Sequence, residues 1–343
     1  VSARIGLVVA LVLAALAARA ETVRVATWHL DLARAGPGLL LRDIRRSEDP
    51  RLAAIAGVIA AVAPDILVVQ GIDYDRNLRA LGALRDRVAA AGGHYPHLFA
   101  LRPNTGWPTG LDMDGDGRRG GPRDAQGYGT FSGQGGMAIL SRYPLDDEAA
   151  TDFSPMLWRD LPGALLPRLP DGRPFPSEAA QAAQRLSSVG HWAVPVRLPS
   201  GPLMLLAFHA TTPVFDGVED RNGRRNHDEI RFWQHYLDGA FGPAPARRFV
   251  LIGDANLDPG RGQGRRGAIR ALLADPRLRD PLPGRATVAW EQTGPLRVSY
   301  VLPSADLRMG GAGVHWPPEG TPGRAAAEVA GPHRLIWVDL AVE

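Results

Sequence analysis

Short apolar runs that stop at polar turns constrain this chain more than any other feature. The clearest is Asp65-Ile-Leu-Val-Val-Gln70, a short, β-branched, unalternating stretch of the kind found in strands covered on both faces. Strand-like pieces recur at 23–28, 97–101, 137–141, 192–198, 203–208, 249–253, 297–302 and 335–342. A helix is expected over 51–62, where Leu52, Ile55, Ile59 and Val62 share one face and Pro64 ends it. Others are expected over 77–91 and 266–274, and one from a capping box at Asn226-x-x-Glu229 carried on by Ile230, Trp233 and Leu237. Two Gly/Pro-rich segments, 102–135 and 154–188, read as surface excursions. Strands interleaved with a few helices predict an α/β sandwich in one domain spanning 21–343.

Composition narrows the class. With 343 residues and 45% hydrophobic content the chain can bury a sizeable core. It has no cysteine, which removes thiol chemistry and disulfides, so stability must come from the core, with or without a bound ion. Basic residues number 39 against 36 acidic ones, and no lysine occurs. An all-arginine complement suits phosphate, and a GC-rich genome produces the same bias. The net charge of +3 argues only weakly for a polyanionic partner. Residues 1–20 read as an export signal, with Arg4, an apolar run over 5–16 and Ala18-Arg19-Ala20 as the cleavage pattern, or alternatively as an uncleaved anchor. A periplasmic or secreted monomer is the expectation.

Four polar motifs stand at strand ends: Gln70-Gly71-Ile72-Asp73, Phe208-His209-Ala210, Gly253-Asp254-Ala255-Asn256 and Pro332-His333-Arg334. Asp254 and Asn256 are two apart and face the same way in an extended segment. A carboxylate beside an amide can orient a water and stabilise a developing oxyanion; the same pair can equally make a β-turn. His209 and His333 can move a proton near neutral pH. Gln70 can bond phosphate or a metal-bound water, and Asp73 and Asp75 offer oxygen ligands to a hard divalent ion.

In type and order these motifs resemble the endonuclease/exonuclease/phosphatase superfamily, the fold of pancreatic deoxyribonuclease, abasic-site endonucleases, sphingomyelinases and inositol-polyphosphate phosphatases. The resemblance runs from about Val23 to Val342. It implies a four-layer αββα sandwich of two mostly antiparallel sheets. It also implies a divalent metal, usually Mg²⁺, and phosphoester hydrolysis by in-line attack of water. By that likeness Asp254 orients the nucleophile, Asn256 contacts phosphate, His209 is the phosphate-binding or acid histidine, and His333 activates water.

Several positions depart from the family pattern. Trp28-His29 stands for Trp-Asn, Gln70-Gly71 for Gln-Glu, Ser299-Tyr300 for Asp-Tyr, and Gly331-Pro332-His333 for Ser-Asp-His. The metal-binding glutamate and the aspartate beside the last histidine are therefore missing. Asp73, Asp75 or His29 is expected to rebuild the metal site, or the protein is metal-free or catalytically weak.

Two further segments carry expectations. Asp112-Met-Asp114-Gly-Asp116-Gly117 has the alternating aspartates of a calcium loop, without its terminal glutamate; it is either a structural Ca²⁺ site or an acidic turn. Arg221 and Arg225, shortly after His209, are candidate phosphate donors on a loop that is alternatively a solvated lead into a helix. The leading expectation is an exported, nuclease-like phosphoesterase acting on a nucleic acid, sugar phosphate or lipid headgroup, with His29, Gln70, Arg221 and Arg225 contacting substrate. The alternatives are a binding or scaffold protein on the same fold, and a calcium-binding module.

Overall fold

Alternation within the strands sorts their side chains into separate cores. In the first strand, β1 (Glu21–His29), Val23 and Val25 join one buried cluster, and Ala26 and Trp28 join another. The same division runs through β2 (Ile66–Ile72), where Ile66 and Val68 face one way and Leu67 and Val69 the other. The period of two of extended backbone causes it. The computed structural model describes residues 21–47 and 49–342; the expected export signal, 1–20, lies outside them.

One sheet adds β3 (His97–Phe99), β4 (Gly136–Ser141), β12 (Arg308–Val314) and β13 (Ile336–Val342), in the order β12-β13-β1-β2-β4-β3. Only β1 and β2 run parallel in it. The other sheet orders β11 (Ser299–Pro303), β8 (Phe249–Asp254), β7 (Gly201–His209), β6 (Gly190–Leu198) and β5 (Thr151–Asp152), with β7 and β8 the parallel pair. A short hairpin, β9 (Val288–Trp290) with β10 (Gly294–Leu296), stands apart.

The inner faces of both sheets meet in one cluster that includes Val25, Val68, Ile139, Val194, Leu205 and Ile252. Helices cover the outer faces. On the first sheet lie α1 (Leu39–Arg46), α2 (Pro50–Val62) and α3 (Arg79–Ala90). The short α4 (Glu178–Ala183) belongs to a long loop, while α5 (Arg221–Leu237) and α6 (Gly267–Leu273) cover the second sheet. A last helix, α7 (Pro322–Ala330), packs on α2. The architecture is a four-layer αββα sandwich, as expected.

Three local expectations change. The helix expected from a capping box at Asn226 begins at Arg221, with Asp220 at its N-cap. Asn226 lies inside it, fully buried, donating to Thr211 O at 2.6 Å and Ala255 O at 2.8 Å. Distant carbonyls took the amide that local sequence assigned to a cap. The helices α1, α4 and α7 and the strands β5, β9, β10 and β12 were not anticipated, although Thr321 caps α7 by accepting from Arg324 N ahead of Pro322. Segments 102–135 and 154–188 are interlocked rather than free excursions. Asn104 Nδ2 donates to Ser154 O (2.7 Å) and Ser187 O (2.8 Å), and Gln184 Nε2 donates to Gln126 O (3.0 Å).

Candidate functional site

The alternation that builds the core also delivers the site. His29 continues the inward series of Val23 and Val25; His209 continues Leu203, Leu205 and Ala207; Asp254 continues Val250 and Ile252. Parallel registers then set their heights. His29 stands opposite Gln70 and His209 opposite Asp254, while β11 brings Ser299 opposite Asp254. The inner face is apolar along most of its length and polar at one end, where the strands stop.

There the two sheets bond directly. His29 Nδ1 and Asp254 Oδ2 are 2.7 Å apart. The His29 ring stacks on His333 at 4.4 Å between centroids and meets His209 edge-on at 5.0 Å. Asp254 Oδ1 accepts from the backbone N–H of Asn256 at 2.8 Å, and Asn256 holds a left-handed φ of 51°. Asn256 Nδ2 donates to Ala210 O at 2.8 Å and lies 3.3 Å from His209 Nε2. His333 sits in a loop clamped by the β9 hairpin. Val288 bridges His333, Ala289 N donates to Pro332 O, and Arg334 N donates to Thr287 O. Trp28 Nε1 donates to His333 O, and Trp290 packs edge-on against the ring. His209, Asp254, Asn256, His333 and His29 are thus brought together.

Electrostatics in this corner follow from burial and one hydrogen bond. Burial alone would raise the Asp254 carboxyl, but the His29 bond and the surrounding imidazoles outweigh it and hold the group at about 2. Asp254 is therefore a carboxylate at neutral pH, and the His29 Nδ1–H donates to it. Burial first, and then neighbouring His29, lower His209 and His333 to about 3, so both rings are neutral. His209 Nδ1 and His333 Nδ1 are buried without a partner, as is Ser299 Oγ. Serine at 299, in place of the family aspartate, is accompanied by a final histidine whose Nδ1 has no carboxylate bonded to it.

Other candidates go elsewhere. Gln70 is fully buried and donates to Thr27 Oγ1 at 2.9 Å, so it does not reach substrate. Asp73 accepts from Arg34 N and Gly135 N, both at 2.9 Å, and ties two loops together instead of joining the metal cluster. Asp75 accepts from Arg79 N and Ala80 N at the start of α3. Arg225 is buried and donates to the carbonyls of Leu186, Gln126, Arg185 and Ser187; Arg221 donates to those of Met113 and Arg123. Both border a groove of about 490 Å³ lined also by Thr211 and Thr212; the Arg225 guanidinium is bonded to backbone carbonyls, which corrects its reading as a phosphate ligand, whereas Arg221 Nε is buried without a partner.

Among the described residues two groups could hold a cation: His29, Asp254 and His333, and Asp112, Asp114 and Asp116. In the second, Asp112 already accepts from Gly115 N and Gly117 N. Asp73 and Asp75 do not rebuild the first; His29 does. The reason is steric. Gly71 has φ of 70°, and a Cβ on it would lie 2.5 Å from His29 Nε2 and 2.7 Å from His29 Cδ2. The imidazole fills the space that a side chain at 71 would enter. His29 and Gly71 form one exchange, and the signal for it in the sequence is the pair of adjacent strand ends at positions 29 and 70. Glu229, expected as the glutamate of a capping box, takes another role. It accepts from Ser188 N, Ser188 Oγ and Thr211 N and anchors the turn after His209.

Comparison with known proteins adds an independent line. The Endonuclease/Exonuclease/phosphatase family profile matches residues 40–327. No curated protein matches in sequence. Among solved structures, an endonuclease/exonuclease/phosphatase from Beutenbergia cavernae DSM 12333 is 19% identical at a TM-score of 0.58, covering 94% of this chain and 72% of its own. A family protein from Leptotrichia buccalis C-1013-b is 14% identical at 0.54, covering 94% and 99%. Sphingomyelinase C from Streptomyces griseocarneus is 16% identical at 0.50, covering 93% and 99%. At these identities the likeness is one of fold.

Proposed function

Because the chain belongs to the endonuclease/exonuclease/phosphatase family, we propose that it hydrolyses phosphoric esters by in-line attack of water at the His29–Asp254–His209–Asn256 corner. The single observation that carries this reading is the 2.7 Å bond joining His29 of one sheet to Asp254 of the other. It fixes the His29 tautomer with the proton on Nδ1, leaving the Nε2 lone pair for the attacking water. The long 3.3 Å contact between Asn256 Nδ2 and His209 Nε2 is the weakest in the corner. A phosphoryl oxygen can displace it and accept from the Asn256 amide, with a neutral His209 alongside as a second donor. His333, stacked on His29, keeps that ring in plane.

The family's usual Mg²⁺ fits this donor set poorly. The cluster has one carboxylate and two imidazoles, whereas Mg²⁺ takes oxygen ligands in strict octahedral geometry. No step above passes through it. Nucleic acid, a sugar phosphate or a lipid headgroup would each present the required phosphoryl group. With Arg225 bonded to four backbone carbonyls, a long polyanion would find one cation fewer there. Export through residues 1–20 belongs to the same proposal, and N-terminal sequencing of the protein from its native host tests it.

The test is hydrolysis of bis-p-nitrophenyl phosphate, p-nitrophenyl phosphate, plasmid DNA and sphingomyelin. Wild type is compared with Asp254→Asn and His209→Ala, each with and without chelator. The reading expects turnover of at least one ester that both substitutions abolish. Turnover unchanged in both sinks it. A folded wild type that turns over none of them, yet binds phosphate esters, favours a scaffold on the same fold, the reading that Gly71 and Ser299 support.

A further inference from the structure

The exchange at Gly71 changes what kind of ion the corner can hold. A carboxylate there would suit a hard cation; the ring that excludes it brings a nitrogen donor instead. One donor atom from each of His29, Asp254 and His333 lies within 4.8 Å of the others. Bonds of ~2.1 Å set donors on a common ion at most ~4.2 Å apart, so an ion shared by all three would replace the 2.7 Å His29 Nδ1–Asp254 Oδ2 hydrogen bond and turn the His29 and His333 rings out of their stack. Asp254 is fully buried and His333 nearly so, and His333 Nδ1 has no partner. A buried ring nitrogen left unbonded is costly unless something occupies it. The backbone around both histidines is fixed by sheet pairing and by the β9 clamp.

We propose that His29, Asp254 and His333 form a binding site for a borderline first-row divalent ion of the Zn²⁺ class, in place of the carboxylate-bound Mg²⁺ of the family. Two imidazoles and one carboxylate make a donor set suited to Zn²⁺, with room for a water in the remaining position. When bound, such an ion would supply a water of lowered pKa and would take the place of the hydrogen bond between His29 Nδ1 and Asp254. The proposal concerns occupancy and stands separately from the hydrolase reading.

Untagged full-length protein, stripped with chelator and dialysed, is titrated with Zn²⁺ and with Mg²⁺ by calorimetry. The triple variant Asp112→Asn/Asp114→Asn/Asp116→Asn is run alongside, so that the aspartate loop contributes nothing. One Zn²⁺ per chain is expected, retained in the triple variant and undisturbed by millimolar Mg²⁺. His333→Asn and His29→Ala should each weaken it at least 100-fold, circular dichroism confirming that they fold. Should either fail to fold, Co²⁺-loaded wild type decides, because paramagnetically shifted, exchangeable imidazole N–H signals count the coordinated histidines, and two are expected. Absence of micromolar Zn²⁺ binding, binding unchanged in both histidine variants, or a Co²⁺ spectrum without imidazole signals overturns the proposal.

Discussion

Asp254 holds two neighbours at once, the His29 ring through Oδ2 and the Asn256 backbone through Oδ1. Replacing it by asparagine keeps the volume and removes the charge that fixes the His29 tautomer. Asp254→Asn should lower kcat at least ~100-fold with KM little changed, measured on whichever ester the wild type turns over. Gly71 and His29 provide a second test at this scale. Gly71→Ala meets both a left-handed φ of 70° and the His29 ring and should cost about 2–4 kcal/mol in urea unfolding. In a His29→Ala background the cost should fall but not vanish, because the ring overlap is relieved while the left-handed φ and the 2.9 Å approach to Asp31 N remain. An additive double-mutant cycle would contradict the exchange.

Helix α5 meets the second sheet through a buried polar cluster. His191 bonds Ser187 Oγ through Nδ1 and Glu229 O through Nε2, and its ring stacks on Trp233. Burial is the main cause that lowers His191 to about 4, and burial likewise raises Glu229 to about 7 against the pull of Arg225. The two act in opposite directions. A base with a depressed folded pKa contributes stability that is full above about 6.5 and lost as pH falls through about 4. A carboxyl with a raised folded pKa contributes below its unfolded value and loses that as pH rises through about 7. The difference in unfolding free energy between wild type and His191→Asn isolates the histidine. It should shrink by about 3 kcal/mol from pH 7 to pH 4, followed by denaturant unfolding at each pH. A flat difference would show that His191 carries no such linkage.

The whole molecule depends on how its two long irregular segments are fastened beside the sandwich. Arg225, rising from α5, donates to carbonyls at 126, 185, 186 and 187, and so ties both segments to a helix. Arg225→Ala removes several charge-assisted bonds and leaves buried carbonyls unpaired. A loss of about 3 kcal/mol or more is expected, with limited proteolysis moving into 102–135 and 154–188. Cleavage confined to the wild-type sites would mean that Asn104 and Gln184 suffice to hold them.

What the sequence determined alone was the part governed by period and order. Apolar runs marked the long strands of both sheets, and the polar motifs at their ends marked His209, Asp254 and His333. The order of the four motifs matched one family across the chain. These follow from the geometry of extended backbone, which is local and therefore written in neighbouring residues. Tertiary structure decided the partners. Gln70, Asp73, Arg221 and Arg225 looked as competent as His29 from spacing, yet each met nearby backbone or hydroxyl groups that no local pattern predicts. A buried polar group bonds to whatever distant elements present to it, and at Gly71 the choice between carboxylate and imidazole was settled by which atoms could share one small volume between two strands.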